Sequence, residues 1–256
     1  MLIAVLNQSS VVSNESIKQM VKAVNKQMTL HTAPAWNQLP PTITFYEDAV
    51  SVPGYAWVVR MMDTPEQAIE LKYSYKMNGK VTGFVFCKNA LDNKSALFSE
   101  DSKTSICSLL SKEVCEMLVD RFASQWASGI VSEFGSEYAC DICTPVENDV
   151  YTIEVATDTE SGYFKVVNGK IIKNESNTLV CSVSNFVFPS WFNTEARANN
   201  FPYDYLKVLP ASFKMSEGSS LTMRGGLVAG TINYVFSAAT PEWKKELKNK
   251  FGRRNF

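Results

Sequence analysis

The residues of this chain best suited to chemistry sit in one short stretch, Leu110-Ser111-Lys112-Glu113-Val114-Cys115-Glu116-Met117-Leu118-Val119-Asp120. On a helix, side chains four apart share a face and can grip one ion. A metal-dependent hydrolase helix uses that geometry with a His ligand, a Glu directly after it as general base, and a second ligand one turn on. Here Glu113 stands at the general-base position and Glu116 at the second-ligand position, but Lys112 occupies the place of the His. A charged ammonium carries three donors and has no lone pair for a metal. The pattern points towards a metal-hydrolase ancestry and against its activity.

Other metal-ligating and nucleophilic residues are few. His31 is the only histidine, so any site needing two imidazoles from one chain is excluded. It follows an amphipathic segment and precedes Ala33-Pro34-Ala35-Trp36, where a structural or exposed role is expected of it. The six cysteines are Cys87, Cys107, Cys115, Cys140, Cys143 and Cys181. Cys140 and Cys143 form a lone CxxC pair, and a four-ligand zinc site would need a second pair or histidines. With no secretory leader expected of Met1 to Leu6, which reads as an opening strand, these thiols are expected to be reduced and packed in the core.

The elements that must position these groups are legible in outline. Ser13-Asn14-Glu15-Ser16 is a helix start, with short polar side chains able to cap free N–H groups. Ile17, Met20, Val21, Val24 and Met28 then recur at helical spacing, and this helix should end before Pro34. After the Pro40-Pro41 breaker, Thr42 to Tyr46 alternates as a strand. Tyr55 to Met61 and Ile69 to Tyr75 read as two more strands, and Asn78-Gly79 predicts a hairpin from which Val81 to Cys87 returns. A long helix is expected roughly from Thr104 to Trp126. Its apolar arc is Ile106, Leu109, Leu110, Val114, Met117, Leu118 and Phe122, with Glu113 inside that arc and Lys112 and Glu116 at its edge. A carboxylate on the core-facing side is costly unless it is paired, hydrogen-bonded or protonated.

Farther on, Val150 to Ala156 and Leu179 to Phe188 are strand-like, with an Asn168-Gly169 turn between them. Asn185 to Phe192 is an aromatic cluster, a pattern of core or lid packing. From Ser216 to Gly230 the composition turns to Gly, Ser and Thr, as in a loop or a pair of edge strands. The last segment, Thr240 to Arg254, reads as a short basic helix after a Thr-Pro start, either solvated or a docking tail for an acidic partner.

With 256 residues, 45% of them hydrophobic and 20% charged, the chain has the composition of a soluble globular protein. A net charge of −1 predicts no bulk attraction to nucleic acid or to an anionic membrane, and the basic residues are dispersed except near the end. No apolar run approaches the roughly 20 residues of a membrane span. The expected fold class is α+β, a mixed sheet of about four to six strands packed against two main helices, Ser16–Gln27 and Thr104–Trp126. The expected organisation is a domain over 1–215, then a Gly/Ser-rich loop or strands with a basic C-terminal tail over 216–256.

Several segments occur together in a telling order. They are Trp36 after Ala33-Pro34, Leu71-Lys72-Tyr73-Ser74, Asn78-Gly79 before Phe84-Val85-Phe86, the Lys112–Asp120 stretch, Tyr138 to Glu147, Val183 to Phe192, and Tyr203-Asp204-Tyr205-Leu206. On these the chain resembles a group of uncharacterised phage and bacterial proteins with a zincin-like metallopeptidase site, over roughly Ser16 to Met215. In that group a Gly-Tyr-His precedes the central strand, a His-Glu-x-x-Glu helix ends in an acidic turn, and a Glu-x-Cys-Asp-Pro-Val-Glu segment follows. The resemblance implies a zincin-like arrangement of the sheet and helices. It also implies a degenerate site, because Ser74 stands at the first His, Lys112 at the helix His, Asp141 at a Glu and Thr144 at the Asp before Pro145. Glu113, Glu116 and Glu147 keep the acidic type. The segment after Gly226 has no counterpart in the group.

Zinc prefers nitrogen and sulfur ligands, so the loss of two imidazoles leaves no zinc site, and Glu116 with Asp141 would hold a harder cation only loosely. No cofactor is expected. Lys112 is expected to take over the metal's electrostatic role by neutralising Glu116, with Asp141 or Glu113 as further partners; an exposed Lys–Glu pair worth about 0.3 kcal/mol is the alternative. The expected function is that of a non-catalytic phage virion protein. It would assemble with other virion proteins or with itself, in the virion and in the host cytoplasm during assembly. Two alternatives stand beside it: a metal-dependent peptidase recruiting Cys115, Cys140 or Cys143, and an intracellular adaptor or inhibitor of a host protein.

Overall fold

The computed structural model describes residues 1–68, 81–99, 101, 103–128, 136–157, 164–167, 170–173, 178–193, 201–225 and 232–251. Its first sheet is built from β1 (Leu2–Asn7), β2 (Thr42–Tyr46), β3 (Trp57–Met62) and β4 (Thr82–Phe86), in the order β2-β1-β3-β4. Every neighbour in it is parallel. Parallel strands are covered on both faces and read as nearly continuous apolar runs, as in Leu2-Ile3-Ala4-Val5-Leu6. Ile3, Val5, Val59, Met61 and Val85 face the main core, while Ala4, Leu6 and Val58 pack on the other face with Val52 and Ala56.

Helix α1 (Asn14–Gln27) starts where Ser13 accepts a hydrogen bond from Ser16 N. Its predicted apolar stripe, Ile17, Met20, Val21 and Val24, is buried. The helical path does not stop before Pro34. It widens into a π turn at Met28–Thr32, with Ala33 N donating to Met28 O, and continues into α2 (Ala33–Ala35). Pro34 thereby falls in the first turn of a new helix, where its missing N–H costs no intrahelical bond.

β4 runs parallel to β3, in the register Val58↔Thr82 to Met62↔Phe86. The expected strand at 69–75 and the Asn78-Gly79 hairpin lie outside the described residues. After α3 (Cys87–Asp92), the central helix α4 spans Ile106–Val119, shorter than the segment predicted to reach Trp126. Ser105 and Ser108 cap its start reciprocally. At its end the Asp120 carboxylate accepts from Ser124 N and Gln125 N, 3.0 Å each, and turns the chain out of the helix. Phe122, placed in the apolar arc by its spacing, lies beyond that turn and is 71% exposed. Trp126 instead opens β5 (Trp126–Ser128).

Antiparallel pairing occurs in separate sheets. One has the order β12-β11-β6-β5, with β6 Glu137–Ala139, β11 Ser220–Arg224 and β12 Ile232–Phe236. A second pairs β7 (Val150–Ala156) with β10 (Thr178–Ser184), and both pack on α1 while β10 also packs on α4. The third pairs β8 (Phe164–Val167) with β9 (Lys170–Lys173); the Asn168-Gly169 turn between them lies outside the described residues. The chain is a mixed α/β protein. The two strand directions expected in one sheet are, among the described residues, sorted into different sheets, because the connection from β1 through α1 to β2 requires parallel neighbours. The last described element is α5 (Glu242–Phe251), and β11, drawn from the segment after Ser216, is hydrogen-bonded to β6. No described helix is long and apolar enough to cross a membrane.

One buried polar network fixes how the two long helices and β10 meet. Gln27 of α1 donates to Ser184 O at 2.8 Å and accepts from the Ser111 hydroxyl of α4 at 2.5 Å, and Ser184 N donates to that same hydroxyl at 3.0 Å. Gln27→Leu keeps the volume but strands the hydroxyl and the carbonyl. It is expected to lower stability by about 1–3 kcal/mol in urea denaturation; an unchanged midpoint would show that the network does not hold this junction.

Candidate functional site

Three elements carry the ionisable groups of the site. α4 supplies Lys112, Glu113 and Glu116. The turn around the short 3-10 helix Thr144–Val146 supplies Asp141, Thr144 and Glu147. α5 supplies Lys244 and Lys248. Six of the residues marked by the sequence therefore converge, and the seventh, Ser74, lies outside the described residues. The convergence follows from packing. α4 rides on β4 and β10 through Leu110, Val114 and Met117, which turns the Lys112–Glu116 edge towards the turn that follows β6.

Glu147 is the centre of the cluster. Its Oε2 accepts from Lys112 Nζ at 3.0 Å, and its Oε1 lies 3.3 Å from Lys244 Nζ. The three side chains are 8–15% exposed. Lys248 Nζ lies 3.9 Å from Asp141 Oδ2 and 3.5 Å from Thr144 Oγ1, which in turn donates to Glu116 Oε1 at 2.8 Å. Glu113 faces β4 at Gly83, where a Cβ would come within 2.6 Å of Glu113 Oε2 and 3.0 Å of Met117 Cε. Glycine at this strand position leaves the carboxylate room. Beneath α5 the groups border a cavity of about 160 Å3, walled on its apolar side by Phe84, Phe86, Phe236, Trp243 and Leu247.

The expectation for Lys112 changes in its partner. Its ammonium is hydrogen-bonded to Glu147, not to Glu116 one turn away, because Glu147 approaches from the facing turn whereas the Lys-to-Glu pair along one helix is the less favourable order. Burial alone would push the Lys112 ammonium down, but the Glu147, Glu116 and Glu113 carboxylates outweigh it and hold it well above the usual lysine range. Burial likewise would raise Glu147, and Lys112, Lys244 and Lys248 override it and hold that carboxyl far below the usual range. Both groups stay charged at every ordinary pH. Among the described residues the cluster sets three ammonium groups beside four carboxylates. No three His, Cys, Asp or Glu side chains among the described residues are arranged to hold a metal ion.

Lys244 and Lys248 escaped the sequence reading, which took α5 for a solvated or docking tail. The signal was present in the spacing, since Trp243 and Leu247 recur one turn apart beside the two lysines and mark an inward face.

The remaining candidates lie elsewhere. His31 sits in the π turn, its Nδ1 2.9 Å from the Tyr151 hydroxyl and its ring stacked on Tyr205 at 4.8 Å. Burial and then Lys26 lower its pKa. All six cysteines are free thiols. Cys143 meets Cys115 rather than Cys140, and burial and that neighbour push it well up. The aromatic cluster is core: Phe186 and Trp191 are buried, and Phe188 N and Tyr205 N bond Tyr203 O and Phe186 O, joining the segments Val183 to Phe192 and Tyr203 to Leu206.

Lys112→Met removes the ammonium but keeps the stem. It leaves Glu147 without its hydrogen-bonded ammonium, beside Lys244 and the more distant Lys248, and is expected to destabilise by about 3 kcal/mol, the low end for a broken buried pair; an unchanged melting temperature would count against the cluster. The pH dependence follows from the same residues. A depressed carboxyl adds stability fully above its unfolded pKa of about 4.3, and loses it as pH falls from there towards the native value. A raised lysine keeps its contribution below about 10.4 and loses it as pH climbs past that. Acid titration of stability below about pH 4 is therefore expected to be steeper in the wild-type chain than in Glu147→Gln, by up to about 1.4 kcal/mol per pH unit. Equal slopes would remove Glu147 from the account.

Comparison with protein-family models, with curated proteins and with solved structures finds no match for this chain.

Proposed function

We propose that this chain is a non-catalytic protein on a degenerate, zincin-like metallopeptidase scaffold, and that it serves as a structural component of a phage particle. One observation carries the first half: Glu147 is clamped between the ammonium groups of Lys112 and Lys244, with Lys248 beside Asp141. A metal in such a site polarises a carbonyl and brings the pKa of bound water to about 7. An ammonium supplies the positive charge without an open coordination position, so it keeps the carboxylates folded and performs neither task. Glu113 would then be a base with no activated water to serve. The competing reading, a metal-dependent peptidase recruiting Cys115, Cys140 or Cys143, is decided by the metal content of the protein.

The second half rests on the resemblance of the strings around Lys112–Asp120, Tyr138–Glu147 and Val183–Phe192 to the phage and bacterial group. The partners in this reading are other particle proteins or further copies of the chain, with assembly in the host cytoplasm. Two measurements test it. Elemental analysis of freshly purified protein is expected to give zinc far below one per chain, and stoichiometric zinc would restore the peptidase. Quantitative peptide mass spectrometry on purified particles is expected to find the chain in fixed ratio to the major capsid protein. Absence from particles would sink the virion role and leave an intracellular adaptor.

A further inference from the structure

Helix α5 is seated in an unusual way. Of its residues Glu242–Lys250, the buried one is Lys244, 8% exposed, while Trp243 and Leu247 are only half-buried. Amphipathic helices are ordinarily held by the apolar face. Here the face that should hold it borders a cavity of about 160 Å3 against Phe84, Phe86 and Leu109. Its polar contacts to other described elements are Lys244 with Glu147, Lys248 with Asp141 and Thr144, and at the surface Lys250 with Glu66 at 2.7 Å, while the Lys248 ammonium also lies 5.8 Å from the Tyr234 ring. Even the central one is incomplete, since the Lys244 ammonium makes no hydrogen bond among the described residues beyond its 3.3 Å ion pair and its place 5.8 Å from the Trp243 ring. A seat with a void and unmet donors is weaker than a close-packed one.

We propose that α5 is a displaceable strap. It lifts away as a unit while the rest of the chain stays folded, and the cleft it uncovers accepts a lysine-bearing amphipathic helix in its place, supplied in trans by a second copy of this chain. The cleft is built for such an occupant. Glu147 receives the ammonium of Lys244, and Asp141 with Thr144 receives that of Lys248, two acceptor positions matched to lysines one helical turn apart. An identical helix meets the same contacts from a neighbouring molecule as from its own, the low-cost route to exchange between protomers. Lifting the strap breaks the ion pairs of Lys244 with Glu147 and of Lys248 with Asp141. Dissolved salt screens those attractions, so it favours the lifted state. The inference rests on the proposed function only in taking the lysines as residents of the site.

Hydrogen exchange read by mass spectrometry, on the full chain at low and high salt, tests the strap. Amides of Leu247 to Asn249 are expected to exchange about tenfold faster or more than those of Leu110 to Val114, through an opening below the global one, and faster still in high salt. Exchange of both segments together, with one salt response, would overturn the strap. For the cleft, the probe is a synthetic peptide of residues 240–251 titrated against the Lys244→Met/Lys248→Met double variant. Binding to the variant, and weaker binding to the wild-type chain whose own helix competes, is the expected result. Retained α4 protection in the variant verifies that it is folded, and no binding to a folded variant would overturn the cleft. If the variant unfolds, the same peptide is added in excess to the wild-type chain at low salt, where it is expected to speed exchange of the chain's own Leu247 to Asn249 amides, and unchanged exchange overturns the cleft equally. Zinc content and particle content do not enter these readouts, so failure here leaves the non-catalytic reading to its own tests.

Discussion

A carboxylate withdrawn from water must find positive charge or be neutralised, and Glu147 is where this protein meets that requirement. An isolated ion in the interior costs several kcal/mol even after relaxation. Lys112 of α4 and Lys244 of α5 sit on its two oxygens. That one group thereby ties the central helix, the turn after β6 and the C-terminal helix to a common point. Asp141, Thr144 and Glu116 form a second strand of the same web, reached through Lys248. Between these elements lies an open pocket with Phe84, Phe86, Trp243 and Leu247 in its wall, so the charged contacts share the work of joining them.

The rest of the fold serves to bring those groups together. The parallel sheet gives α4 a flat apolar bed, and Gly83 on β4 leaves a space that admits the Glu113 carboxylate beside the strand. The Gln27–Ser111–Ser184 network sets where α4 lies relative to α1 and β10. On the far side, the Phe186, Trp191 and Tyr205 rings close the core, with Asp204 accepting from Val208 N and Leu209 N to hold the loop that carries Tyr205.

The chemistry of the cluster follows from what an ammonium is. It balances charge as a metal does, but it donates hydrogen bonds where a metal accepts lone pairs. An ammonium at such a place balances the charge of neighbouring carboxylates and supplies no Lewis acid. Lys112 and Glu147 stabilise each other's charged forms, so neither is available near neutral pH as a proton donor or acceptor.

Local patterns were legible because they depend on local physics. The Ser13 cap, the stripe from Ile17 to Met28, and the alternation in Val150 to Ala156 reappear as read. So did the sharing of one region by Lys112, Glu113, Glu116, Asp141, Thr144 and Glu147, though that came from a resemblance of motifs and not from periodicity. The end of α4 was misread because helical spacing continues past Asp120, and only the bonds from Ser124 N and Gln125 N show the carboxylate turning the chain. The direction of β4 depends on which strand it meets, which no local pattern states. The sequence by itself determined which segments bury apolar faces and that a lysine stands beside two glutamates on one edge of α4. Tertiary structure alone decided that this lysine pairs with Glu147 and that the last helix brings two more, since an ion pair between elements distant in sequence exists only once packing has set their distance.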